Sequence, residues 1–241
     1  MLKKIISKLL PSKFIYKIKN NLGVPSQQNS FMHLKKLGIY PQLVLDIGAY
    51  EGTWTTEFKQ YFPECKILML EAQEGKSVFL DNVKQRFNDT VQYQIALLSN
   101  EVKEVEFNQY ETASSIYKED NETNAKIVKL KTQQLDKLLA NTEFEQPDFI
   151  KIDVQGAELN VLQGALRTLE NVQFALIEVS FLNIYKDAPL AHEIVQFMYQ
   201  NGFVIYDIAS LMRRPFDNAL NQSDFLFIKE KSLIRASTRW I

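Results

Sequence analysis

The chain has 241 residues, 46% of them apolar and 24% charged, and a formal net charge of −1. That length suits one large domain with a sizeable core, and the near-neutral balance argues against a general polyanion binder such as an RNA- or DNA-modifying protein. One cysteine, Cys65, excludes an internal disulfide framework and reads as a small buried hydrophobe, while the two isolated histidines, His33 and His192, are too few for a histidine metal cluster, so no metal is expected.

Residues 1–20 hold six lysines and no acid, with Leu2, Ile5, Ile6, Leu9 and Leu10 at helical spacing. No apolar run there is long enough for a signal h-region or a membrane span, which points to a cytoplasmic protein. Two readings compete. The plainer one is a helix that packs on the domain and shows its lysines to water; the sharper one is an interfacial helix in peripheral contact with an anionic membrane. Residues 21–30 read as a linker from their Gly, Pro, Ser and Asn content, and Phe31 to Gly38 as a short helix ended by glycine. The expected organisation is an N-terminal basic helical segment and linker at 1–40, a catalytic domain at 41–230 and a basic tail at 231–241.

The stretch Leu43-Val-Leu-Asp-Ile-Gly-Ala-Tyr-Glu-Gly-Thr53 organises the rest. An apolar run reads as a buried strand, then a turn carries Asp46, Gly48 and Gly52, and Trp54 to Phe62 has apolar residues at helical spacing. Strand, glycine turn and helix form the first unit of a nucleotide-binding α/β sheet. The next apolar run, Lys66 to Glu71, ends in a carboxylate 19 positions after Gly52, placed to accept the hydroxyls of a ribose. Only two glycines of the dehydrogenase fingerprint are present, as D-x-G-x-x-x-G. A carboxylate at Asp46 is a poor neighbour for a pyrophosphate and a better one for a cationic ligand such as S-adenosylmethionine. The plainer alternative is an ordinary strand-to-helix turn with a capping Asp.

Further along, Val78–Phe87 looks helical and Val91–Leu97 alternates as a third strand. Residues 101–133 break the rhythm: two alternating runs flank a polar stretch, which reads as an inserted hairpin or lid supplying substrate contacts. Leu135 starts a short helix. Pro147–Asp153 is a fourth sheet strand, followed by a helix over Leu159–Leu169; Phe174–Ser180 is a fifth. A helix from about Pro189 to Asn201 and strands at Phe203–Ile208 and Asp224–Ile228 complete the pattern. The expected fold is α/β: a doubly wound, seven-stranded, mostly parallel Rossmann-like sheet with an inserted hairpin and an N-terminal helix. Ligands of such sheets sit outside the carboxyl ends of the strands, so Asp46, Glu71, Asp153 and Glu178 are expected near one rim. Lys151, between Ile150 and Ile152, is expected to be structural or to neutralise those carboxylates.

These residues resemble the FkbM-type S-adenosylmethionine-dependent methyltransferases over roughly 43–228. The resemblance rests on Val44-Leu-Asp-Ile-Gly-Ala-x-x-Gly52, on Leu135-Asp136, and above all on Asp148-Phe-Ile-Lys-Ile-Asp-Val-Gln-Gly-Ala-Glu158 with Val161-Leu-x-Gly164. Ile177-Glu-Val, Tyr185 and Gly202-Phe-x-x-x-Asp207 also fit. The family often carries Asn where Tyr50 stands and Glu-Pro where Glu71-Ala72 stands. The resemblance implies that Asp46, Gly48, Ala49, Tyr50 and Gly52 line the methionine end of the cofactor. It implies that Glu71 binds the ribose, that Ala72 and Gln73 lie beside the adenine, and that Ala96 and Leu97 wall it. Asp153, Val154 and Gln155 would lie next to the transferable methyl group. The activity implied is O-methylation of a hydroxyl on a sugar, glycan or natural product.

Asp153, ending the central strand, is the expected general base. Glu158 is either a second carboxylate at the reaction or a cap at the next helix's start. A nicotinamide-dependent (NAD or NADP) oxidoreductase is the rival on the same layout, opposed by the missing third glycine and the lack of a Tyr-x-x-x-Lys pair. A non-catalytic nucleotide-binding scaffold is the other, opposed by the intact Asp46, Gly48, Gly52, Glu71 and Asp153.

Overall fold

The computed structural model describes residues 23–109, 114–117 and 126–240, so the lysine-rich segment 1–20 lies outside the described residues. The first helix among the described residues, α1 (Gln27–Lys36), starts inside the stretch whose composition reads as linker. Ser26 explains the start: its extended backbone and its side chain, which accepts from the Asn29 N–H, cap the first turn.

The chain then alternates. β1 (Leu43–Ile47), α2 (Thr53–Tyr61), β2 (Lys66–Glu71), α3 (Ser77–Phe87) and β3 (Val91–Ile95) come first. The short β4 (Leu97–Leu98), then β5 (Glu104–Gln109) and β6 (Lys126–Gln133), form a separate three-stranded sheet of order β4-β6-β5. The predicted third strand is thus split at Ala96, its last residues leaving the main sheet for the insertion. After α4 (Leu135–Leu139) follow β7 (Phe149–Ile152), α5 (Glu158–Gln163), α6 (Leu166–Asn171), β8 (Phe174–Ser180), α7 (Ala191–Gln200), β9 (Phe203–Ile208), β10 (Met212–Arg213) and β11 (Leu220–Lys229).

The main sheet runs β10-β11-β8-β7-β1-β2-β3, with β9 also paired to β11. It has eight strands rather than seven, because the two-residue β10 pairs with the early part of a β11 longer than the sequence pattern showed. β3, β2, β1, β7 and β8 are mutually parallel and β11 is antiparallel. A parallel sheet covered on both faces explains why β1, β2 and β7 are nearly continuous apolar runs. Alternation divides their side chains: Leu45, Ile47, Leu70, Ile150 and Ile152 pack into one core, while Val44, Ile67, Met69 and Phe149 join Phe31 and Phe58 in the other. Asp46 and Lys151, register partners across β1 and β7, therefore point toward the α1–α2 face.

The helix expected over Leu159–Leu169 is two helices. At Gly164 a Cβ would lie 2.3 Å from the Ser99 carbonyl oxygen, so the chain passes against that loop and breaks there. Asp136 then caps α6, accepting from the Arg167 N–H at 2.9 Å and from the Thr168 N–H at 2.8 Å. Cys65 is buried, and desolvation pushes its thiol up to about 12. His192 is exposed on α7, and His33 lies 2.7 Å from the Tyr206 hydroxyl.

Candidate cofactor and methyl-transfer site

The turn after β1 is held against the end of β7. Gly48 has φ +76°, and a Cβ there would sit 1.8 Å from the Asp153 carbonyl oxygen, so only glycine fits. The Asp153 N–H donates to the Ile47 carbonyl at 3.1 Å, locking the two strand ends together.

Asp46 lies beneath this turn at 0% exposure. Its Oδ2 accepts from the Thr55 hydroxyl at 2.8 Å. Its Oδ1 has no hydrogen bond and instead faces the Lys151 ammonium at 3.1 Å. That ammonium also donates to the Gly48 carbonyl at 2.9 Å and lies 3.7 Å from Asp153 Oδ2. Burial alone would pull the Lys151 pKa down; the charges of Asp46 and Asp153 outweigh it and hold the proton well above the usual lysine range. Lys151 thus neutralises the carboxylates at the centre of the sheet.

A partly enclosed cavity of about 170 Å³ opens at the ends of β1, β2 and β7. Its lining includes Glu71, Ala72 and Gln73 after β2, Ala96 and Leu97 after β3, Gly48 and Tyr50 after β1, and Asp153, Val154 and Gln155 after β7. Glu71 accepts from the Tyr50 N–H and the Gln73 N–H, each at 2.8 Å, one on each carboxylate oxygen. A lone pair remains on each for a ligand hydroxyl. Burial raises the Glu71 pKa, with the Gln73 and Tyr50 amides working against it. Phe107, Ser114 and Ile116 of the insertion close the apolar wall. They were missed in the sequence because alternation in a hairpin does not say what the hairpin covers.

A second, open cleft of about 560 Å³ shares Gly48, Tyr50 and Asp153 with the cavity and lies on the α1–α2 side. It takes in Ala49, Trp54, Lys151, residues 24–28 before and in α1, and residues 209–211. Asp153 stands between the two spaces with its side chain 36% exposed. Asp46, Gly52 and Glu158 line neither space.

The loop after β7 is tightly braced. Glu158 is buried, and its Oε1 accepts from the Val154 N–H at 3.0 Å and the Gly156 N–H at 3.2 Å. Burial pushes its carboxyl up to about 7. Gln155 adopts φ +53°, and its amide donates to Asp153 Oδ1 at 2.8 Å and Glu178 Oε2 at 3.1 Å while accepting from the Tyr185 hydroxyl at 2.9 Å. Burial, then the charges of Asp153, Glu158 and Asp224, push the Glu178 carboxyl well above its usual range. From the insertion, the hydroxyl of Ser115, 1% exposed, donates to the Gln155 carbonyl at 2.6 Å. Among the described residues no group of three or more metal-ligating side chains is assembled, and no helix is long and apolar enough to cross a membrane.

S-adenosylmethionine fits these residues. An apolar slot suits a purine, the Glu71 carboxylate suits a ribose diol, and carboxylates near the junction suit a cationic ligand. Strand order, glycine turn and acidic strand ends together define a Rossmann-like nucleotide-dependent methyltransferase. The methyltransferase FkbM domain model matches residues 46–205, about two thirds of the chain. The chain belongs to the FkbM methyltransferase family, and its cofactor is S-adenosylmethionine.

The hexuronic acid methyltransferase AglP of Haloferax volcanii is 31% identical over 83 residues, which span 32% of this chain and 35% of that protein. Among solved structures, the magnesium protoporphyrin IX methyltransferase of Synechocystis PCC 6803, with S-adenosylhomocysteine bound, superposes with a TM-score of 0.50. It shares 10% identity and covers 84% of this chain and 81% of its own. That likeness concerns the fold alone.

Proposed function

We propose that this methyltransferase methylates a hydroxyl group on a sugar or glycan, with Asp153 as general base. The observation that carries the reading is the position of Asp153 between the cavity and the open cleft, partly exposed and fixed by Gln155. The cavity would hold the nucleoside of the cofactor, with Glu71 accepting from its ribose hydroxyls, and the cleft would admit the acceptor. The sugar class draws support from the name of the archaeal relative, a hexuronic acid methyltransferase. A small natural-product hydroxyl meets the same chemistry.

The sulfonium of the methyl donor supplies the electrophile. With that methyl donor bound, Asp153 would take the proton of the acceptor hydroxyl on a carboxylate oxygen, held in place by the Gln155 amide. Holding the acceptor in line supplies much of the acceleration, roughly 7–11 kcal/mol at best. A base adds about 10²–10⁴-fold. Glu158 acts through the loop it braces, as a positioning residue. Lys151 keeps the carboxylate charges matched.

The test is Asp153→Asn. The amide keeps the size and the Gln155 contact but cannot take a proton at neutral pH. We expect kcat to fall by about 10²–10⁴-fold while the dissociation constant for S-adenosylmethionine changes little. A variant retaining wild-type kcat would remove Asp153 from the base role.

A further inference from the structure

We infer that the open cleft is the acceptor subsite, read chiefly by Gln28 and Glu57, and that it takes a sugar ring carrying no carboxylate. This rests on the methyltransferase reading and adds to it the acceptor's location and class. Residues 24–28 and 209–211, which form the cleft's outer walls, lie outside the family match, whereas Gly48, Tyr50 and Asp153, shared with the cavity, lie inside it. Ala49, Thr53, Trp54, Glu57 and Lys151 also lie inside the family match and line the cleft alone, so the cleft joins a family-matched floor to walls from outside the match.

That outer wall is firmly attached. Gln27 donates to Asp224 Oδ2 at 2.7 Å and accepts from the Trp54 indole N–H at 2.8 Å. Ser30 donates to Asp207 Oδ2 at 2.6 Å. Both bonds tie α1 to the last strands of the sheet. At the rim, the Gln28 amide donates to the Glu57 carboxylate. An amide beside a carboxylate offers both donors and acceptors, which suits vicinal hydroxyls.

The charges then select among sugars. The titratable side chains lining the cleft, among the described residues, are Tyr50, Glu57, Lys151 and Asp153. Lys151 is already set against buried Asp46 at 3.1 Å and against Asp153 at 3.7 Å. What a ligand meets is Glu57 and Asp153, both anionic when ionised. Among the described residues that line the cleft, a uronate would bring a third carboxylate beside these two with Lys151, already engaged, as the one cation, a repulsive arrangement. A neutral hexose or an amino sugar meets no such penalty. In this the chain parts from the archaeal relative, whose name specifies a hexuronic acid.

The experiment uses the full chain, S-adenosylmethionine with a labelled methyl group, and three probes at neutral pH: methyl glucoside, methyl glucosaminide and methyl glucuronide. Transfer to the glucoside or the glucosaminide should exceed transfer to the glucuronide by about tenfold or more. Glu57→Gln should narrow that gap. Gln28→Ala should raise the acceptor KM about tenfold with the cofactor's dissociation constant unchanged. Equal or better transfer to the glucuronide, or transfer to none of the three while the cofactor binds in calorimetry, overturns the inference. So does an acceptor KM that neither variant moves. Loss of cofactor binding itself would instead bring down the methyltransferase reading beneath it.

Discussion

Removing the Lys151 ammonium should destabilise the protein by leaving a buried carboxylate without its counter-charge at the centre of the sheet. Asp46 is fully buried, and its Oδ1 depends on Lys151 alone, at 3.1 Å. At an effective dielectric of about 20, opposite charges at that distance attract by about 5 kcal/mol. The cost of having desolvated both ions offsets much of this in the native protein. Lys151→Met leaves that cost on Asp46 and removes the compensation. Breaking a buried pair from one side costs about 3–5 kcal/mol, and that is the loss expected in urea-induced unfolding. Adding Asp46→Asn should recover most of it, since no charge is then left in the sheet and the amide oxygen still accepts from Thr55. A single variant within about 1 kcal/mol of wild type, or a double variant no better than the single, would refute the role given to the pair.

Three other outcomes follow from the loop after β7 and from the insertion. Glu158 has a folded pKa raised to about 7 from an ordinary 4.5, so the native state holds its proton more tightly than the unfolded chain does. Its contribution to stability is then full below about pH 4.5 and is lost as pH rises to about 7. Glu158→Gln, which can still accept from Val154 and Gly156, should flatten the fall in unfolding free energy across that window; an unchanged slope would contradict the assignment. Ser115→Ala should cost about 1 kcal/mol of stability and lower kcat more than cofactor affinity, because its hydroxyl holds the Gln155 carbonyl; steady-state kinetics with an unaltered kcat would show the insertion to be a passive cover. Gly48→Ala should abolish cofactor binding in calorimetry, because the new methyl group collides with the Asp153 carbonyl; retained affinity would refute it.

Much of this architecture was legible because it depends on local pattern. β8 and β9 fall where the apolar runs put them, and β1, β2 and β7 are buried on both faces and so read as continuous apolar segments. What escaped was set by contacts between distant residues. The break at Gly164 comes from the Ser99 loop, and the cap of α6 from Asp136, some thirty positions earlier. α1 begins among Gln, Asn and Ser residues that read as linker, since Ser26 and bonds to Asp224 and Asp207 hold its first turns ahead of the buried Phe31 and Leu34. In the candidate site, Glu71 and Asp153 sit at the cavity that the strand ends were expected to form, but Asp46 faces the other side of the sheet. Strand alternation fixes that direction, and Lys151 and Thr55 occupy its carboxylate. Glu158 likewise spends one oxygen on its own loop.

Titration calorimetry of the full chain with S-adenosylmethionine, alongside NADH, in wild type and Glu71→Ala, tests the central claim most directly. Micromolar binding of S-adenosylmethionine that is lost in Glu71→Ala, together with no binding of NADH, is the expected result. Binding of NADH, or folded wild-type protein that leaves S-adenosylmethionine unbound, would contradict it.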